Sequence, residues 1–344
     1  MLTSRHLPAS LAILTFFSGF FYCAAPLSGA VGGLLATGLS RIHTHNYHGW
    51  PFIFIVEGAI TIGYGMVACL FMPHTPNTAA FLNQEEKRVA VARLQLDAHG
   101  ASGENHLRSV EEESFSWHWV KMAVFNWNTV LLSLNFFSII TPIYSFSLFL
   151  PTIIKGMGYT AVKANLLSVP PNACAFVTVL ITGFASDRVG MRGPFMLAGL
   201  VVAFCGYIML ISTANIHVQY GGTFLVASGI FPCSPLVMGW LANNLAPHYV
   251  RATGTGVQIA VANLAAFLAT FTYLTPDAPR YITGHAINLG MLALAMILTT
   301  SIMLYCRMEN KLREKGGRDS RLAEVGDEGQ WALGSGHPEF RYTL

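Results

Sequence analysis

Charge is scarce in this chain. Asp, Glu, Lys and Arg make up 11% of its 344 residues, against about 25% in an ordinary soluble domain. The formal net charge is only +3, too small to build the basic surface that nucleic acid demands. There is no P-loop pattern, so this chain alone offers ATP no phosphate cradle. The six cysteines (Cys23, Cys69, Cys174, Cys205, Cys233, Cys306) lie within or at the ends of apolar stretches. There they act as small apolar residues, and no disulfide framework is predicted. Arg5 and His6 precede an apolar run, but that run continues past the length of a signal-peptide core.

What the chain has in abundance is apolar length. Hydrophobic residues make up 53% and the mean hydropathy is +0.49. Eight stretches stand out, near 12–39, 51–72, 128–150, 164–185, 194–213, 220–242, 253–274 and 285–306. About 20 apolar residues cross a bilayer as a helix, and only structures that satisfy their own backbone can stay there. The expected fold class is an all-α polytopic membrane protein with about eight transmembrane helices.

Lys and Arg set the orientation. With a cytosolic N-terminus, the inward segments carry 16 of the 20 Lys and Arg, leaving Arg41, Lys155, Lys163 and Arg280 outside. The positive-inside rule favours that arrangement, and an even number of spans puts both termini in the cytosol. His43, His45 and His48 then fall in the first outward loop. Three imidazoles suit zinc or copper, but a membrane desaturase needs several such boxes facing the cytosol. No metal, no other cofactor and no catalytic cluster is expected, so the chain does not read as an enzyme.

The spans fall into two, a polar gap, then six. The gap, 73–127, contains Asn83-Gln84-Glu85-Glu86, a capping-box spacing that opens a charged helix ending near His99. Beyond Arg307 a basic cluster gives way to a Gly/Glu/Arg stretch without periodicity, for which no regular structure is predicted. Pro170-Pro171 should kink the fourth span, and Gly29 and Gly33 form a small-residue face for close packing.

The sharpest motif is Gly183-Phe184-Ala185-Ser186-Asp187-Arg188-Val189-Gly190-Met191-Arg192, in a short inward loop. It resembles the G-x-x-x-D-R-x-G-x-R loop of the major facilitator superfamily. Ser28 to Ala36, Phe52 to Gly58, Leu150 to Lys155, Asn165 to Pro171, Trp240 to Asn244 and Arg251 to Gly254 are together similar to the fungal anion:cation symporter group, relatives of allantoate and nicotinate permeases. Residues 141–149 lean toward the nicotinate branch. The resemblance implies a major facilitator-type bundle in which this chain supplies helices five to twelve of twelve. Residues 1–72 would be the last two helices of the N-terminal half, 73–127 a cytosolic linker, 128–306 the C-terminal six-helix half and 307–344 a cytosolic tail.

By that resemblance the chain is expected to be a secondary transporter of a small organic anion (a carboxylate such as nicotinate, another vitamin or a ureide). Transport would be coupled to protons, by alternating access in the plasma membrane. Two other readings stand beside it: a truncated, transport-incompetent membrane protein, and an exporter of a secondary metabolite. Its partners would be that anion, the proton and the lipid bilayer. Asn135, Tyr144, Ser145, Trp240, Gln258 and Asn263 are the polar residues placed to line a cavity. Glu57 is the acidic side chain well inside a span, and an intramembrane carboxylate suggests a coupling site by default.

Overall fold

The computed structural model describes residues 22–39, 50–71, 78–79, 81–90, 116–325 and 333–344. These form helices and turns, with no strand among the described residues. Seven helices are long and apolar enough to cross a membrane, and a shorter apolar one occupies the first predicted span from Ala24 onward. The upstream part of that span, His43, His45 and His48, and the linker helix beyond residue 90 lie outside the described residues.

In chain order α1 is Ala24–Leu39 and α2 is Trp50–Phe71. In the gap, the Asn83 N–H donates to Glu86 Oε2 at 2.8 Å, the reciprocal bond of the capping box. Next come α3 (Trp117–Val124) and α4 (Trp127–Gly156), then α5 (Ala161–Leu167) and α6 (Val169–Val189). α7 (Gly193–Ser212), α8 (Ile216–Asn244) and α9 (His248–Asn263) follow. α10 (Ala265–Thr270), α11 (Ile282–Glu314) and α12 (Ser320–Val325) complete the order.

The helices outrun the apolar stretches because polar caps, not hydropathy, decide where they start. Asn126 and Asn215 accept N–H groups of Asn128 and His217 at 2.9 and 3.0 Å, which satisfies donors the first turn leaves open. The fourth predicted span is one membrane crossing broken at Ser168, just ahead of Pro170-Pro171. Proline at the start of α6 costs no backbone bond but stops α5 from running straight on. In α4 and α8, by contrast, Pro142, Pro151, Pro232 and Pro235 sit inside the helices, where neighbouring helices enclose the interrupted backbone.

α8 is the hub, packed on α7, α6, α4 and α9. Its seam with α7 is made of small residues. A Cβ on Gly229 would meet the Gly199 carbonyl oxygen at 2.5 Å, and one on Gly206 would meet the Val226 nitrogen at 2.7 Å. The two backbones therefore touch directly, which is how helices gain dispersion contact where lipid offers no hydrophobic drive. α1 lies across α6, with Gly29 beside Asn172 and Gly33 beside Asn165 and Ser168, as the small-residue face at those positions predicts. α2 packs against α1, and none of its apolar window is buried.

One segment expected to be loose is ordered, and one helix was not foreseen. The unforeseen helix is α3, capped by Ser116, with Trp119 and Ala123 buried and the helix packed on α9. Residues 316–325 and 333–344, for which composition predicts no fixed structure, are folded onto the end of α11. The reason is Arg313, buried at the helix terminus with its side chain 1% exposed. It donates to the carbonyls of Ser335, His337 and Phe340 at 3.1, 3.2 and 2.8 Å. Its Nε also donates to Glu309 at 3.1 Å, and its guanidinium covers the Tyr342 ring at 4.6 Å. A buried guanidinium needs all its protons matched, and the tail supplies the acceptors.

Candidate functional site

We call the side on which α11 ends the tail face and the opposite side the far face. Two groups of polar residues matter, one at mid-depth and one on the tail face.

At mid-depth the Tyr144 hydroxyl on α4 donates to Asn263 Oδ1 at the end of α9, at 2.9 Å. Asn263 is exposed at the end of α9 rather than packed between helices. Tyr22, just ahead of α1, comes beside Tyr144 and Ser234. Ser234 lies between Pro232 and Pro235 on α8. The next residue of α4, Ser145, turns inward and donates to Asn288 Oδ1 at 2.8 Å. Hydroxyl and amide groups of α4, α8 and α9 thus converge with Tyr22, just ahead of α1. A Tyr144 proton committed to Asn263 leaves that amide's Nδ2 able to donate to a carboxylate or a ring nitrogen.

The six residues predicted to line a cavity do not form one group. Tyr144 and Asn263 are bonded to each other, while Ser145, next to Tyr144 in the chain, joins Asn288 instead. Asn135 lies nine positions earlier on α4, about 13 Å along the axis. It is fully buried and donates to Thr299 Oγ1 at 3.0 Å. Gln258 is also fully buried, its Nε2 directed at the Leu132 and Val237 carbonyls at 3.4 and 3.3 Å. These two bind helices to one another. Trp240 sits four residues before the tail-face end of α8, and its indole N–H donates to the Thr343 carbonyl at 2.8 Å. Glu57 is exposed on α2, away from the convergent group. Sequence reading missed Tyr22, Tyr273, His285 and Asn288. The signal available was the presence of His and Asn at the start of an apolar run, where each needs a partner.

On the tail face the Asp187 loop is a short, tightly held turn. Gly190 closes α6 with φ 69°, the left-handed geometry that a side chain would strain. The Arg188 guanidinium lies over the Phe184 ring at 4.7 Å, keeping its charge outward. Arg192 is buried, at 5% exposure. Burial pulls its guanidinium down to about 10, and neighbouring Asp187 opposes that shift, so it stays charged at neutral pH. The guanidinium fits because residue 239 is glycine: a Cβ there would collide with Arg192 Nη1. The Arg192 N–H also donates to the Leu344 carbonyl. Asn244 holds Thr343 by accepting from its N–H and hydroxyl at 2.8 and 2.9 Å. The loop, α8 and the tail are therefore tied together. Among the described residues no group of three or more His, Cys, Asp or Glu is placed to hold a metal.

Known proteins resemble this arrangement. Residues 8–270 match the profile of the Major Facilitator Superfamily. An uncharacterized transporter of Schizosaccharomyces pombe is 32% identical over 328 residues, covering 94% of this chain and 62% of that protein. The high-affinity nicotinic acid transporter of Saccharomyces cerevisiae is 28% identical over 325 residues, covering 94% of this chain and 59% of its own length. The chain thus spans about three-fifths of the curated relatives it matches. Among solved structures, the proton:xylose symporter XylE bound to 6-bromo-6-deoxy-D-glucose superposes with a TM-score of 0.62 at 14% identity. That match covers 86% of this chain and 66% of XylE.

Proposed function

The chain belongs to the Major Facilitator Superfamily, and on that premise we propose that it is a secondary transporter of a small organic anion, a carboxylate of the nicotinate class, moved together with a proton. The observation that carries this reading is the Tyr144–Asn263 pair, with Tyr22 and Ser234 beside it, at the junction of α1 and the six-helix half. A neutral set of hydroxyl and amide donors suits a carboxylate that must be bound and then released.

Alternating access in this family type is a rocking of one half against the other. The α1–α6 crossing supports such a motion, because Gly29 and Gly33 meet only Asn172, Asn165 and Ser168, with no bulky side chain wedged between the helices. The break at Ser168 lies under that crossing and gives α5 a place to bend independently of α6. The distribution of Lys and Arg supports a cytosolic tail face, with the plasma membrane as the membrane concerned. Glu57 remains a candidate for proton coupling on α2.

Uptake of radiolabelled nicotinate by cells expressing the 344-residue chain is the test. Saturable uptake that is competed by other small carboxylates supports the reading, and uptake at background for a carboxylate panel overturns it. Tyr144→Phe should raise the apparent KM about fivefold, the worth of one hydrogen bond of about 1 kcal/mol. A radiotracer saturation curve of the variant against the parent chain measures it.

A further inference from the structure

Polar groups run in one direction from mid-depth to the far face. The Ser145 hydroxyl donates to Asn288 Oδ1 at 2.8 Å, and Asn288 Nδ2 donates to the Tyr273 oxygen at 3.1 Å. The Tyr273 oxygen is 2.9 Å from His285 Nδ1. Tyr273 thus accepts from Asn288, and the imidazole tautomer decides whether its own proton goes to Nδ1 or an Nδ1 proton comes to it, so His285 ends the row in either form. His285 also lines a far-face pocket with Gln219, Arg280 and Tyr281, of about 30 Å³. That is room for one or two waters and far too little for an organic anion.

One atom is out of place in this arrangement. The Tyr207 hydroxyl on α7 is fully buried, and its contacts with Tyr273 and Ser145 fall short of ordinary hydrogen-bond geometry. A buried polar atom without a well-formed hydrogen bond calls for an explanation. It lies beside Tyr273 and Ser145, and its ring is 5.9 Å from that of His285.

We propose that His285 is a proton-binding site of the six-helix half, filled by water from the far-face pocket, and that Tyr207 is the acceptor its protonation requires. With the ring proton on Nδ1, that nitrogen donates to the Tyr273 oxygen and the Tyr273 O–H turns to the Tyr207 oxygen. Hydronium in the pocket then gives one proton to Nε2 and leaves as water. The imidazole becomes imidazolium with an N–H on each nitrogen, and neither tyrosine loses its proton. The groups facing His285 are Tyr273 and Tyr281 from the segment before α11, Tyr207 from α7, and Arg280 on the pocket wall, whose guanidinium donates to the Ile211 carbonyl at 2.9 Å. Ser145, at the other end of the row, adjoins Tyr144 of the anion site, so proton and anion act on the same turn of α4. The link to anion uptake rests on the transport reading above; the proton site itself does not.

The test uses the whole chain in proteoliposomes. Ring ¹⁵N signals of histidine are recorded between about pH 8 and pH 5, and residue 285 is assigned by the signal lost in His285→Gln. The expected result is an imidazolium signal that appears on acidification and moves when Tyr207 is replaced by Phe. In parallel, an inward gradient of one pH unit should drive about tenfold accumulation of labelled nicotinate, and His285→Gln should abolish that accumulation while remaining monodisperse. A ring that stays neutral throughout, or a His285→Gln variant that accumulates nicotinate like the parent, overturns the proposal. If the parent chain moves no nicotinate, the transport reading falls, and the ring signal and its response to Tyr207→Phe still decide the proton site.

Discussion

Replacing Gly229 with leucine will prevent α7 and α8 from docking, and the chain will not be recovered as a monodisperse species. A Cβ alone at residue 229 would stand 2.5 Å from the Gly199 oxygen, 2.6 Å from the Ala203 nitrogen and 2.8 Å from the Ala203 Cβ. Two of these are backbone atoms, which cannot step aside as a flexible side chain would. Overpacking costs about 1–3 kcal/mol even where neighbours can shift, and here the whole helix must retreat. Since α8 also carries α4, α6 and α9, separating it from α7 removes the hub. Size-exclusion profiles of a fluorescent fusion compare the variant with Gly221→Leu. A Cβ at Gly221 meets only Met209 Cε at 3.9 Å, so that control should migrate as the parent does.

The second large effect is expected at Arg313. Arg313→Ala strips the tail of its central donor and leaves Glu309, at 7% side-chain exposure, facing the helix end with one partner fewer. Removing one member of a buried, hydrogen-bonded ion pair costs about 3–5 kcal/mol. The loss should appear as a lowered melting temperature and as proteolysis within 333–344 under conditions that spare the parent. Arg318→Ala is the contrast. Arg318 contacts the same carboxylate at 2.9 and 3.0 Å but its side chain is 35% exposed, so water takes over much of its role. A loss of about 1 kcal/mol or less is expected there. Equal losses at the two arginines would show that tail packing, not pairing geometry, sets the stability.

How much was legible in the sequence depends on what fixes each feature. Spans such as 194–213 and 220–242 were readable because hydropathy alone decides whether a helix sits in lipid, and their ends fall within four residues of those of α7 and α8. The Asn83–Glu86 cap and the bend ahead of Pro170 were readable because each is written within four residues. The order of 333–344 was not, since nothing in Gly-rich polar sequence announces that Arg313, some twenty residues upstream, needs acceptors. Trp240 looked like a cavity residue because an aromatic with a polar edge suits a ligand. Only the fold reveals that Thr343, 103 positions away, takes its N–H. Tyr144 and Asn263 were each read as polar residues of a span, but nothing local announces that they bond to one another across 119 positions, or that Tyr22 comes beside Tyr144. The spacing of Gly199 to Gly206 and of Gly222 to Gly229, seven residues in each helix, was a visible seam that needed only its matching pair.

Purification strategy inherits a constraint from the tail. Thr343 is clasped by Trp240 and Asn244, and the Leu344 carbonyl receives the Arg192 N–H. An affinity handle joined straight to Leu344 must depart from that clasp beside the Asp187 loop, competing with the latch while advertising itself to the resin. A long hydrophilic spacer ahead of the handle, or a cleavable one removed before any flux assay, keeps the instrument from becoming part of the machine.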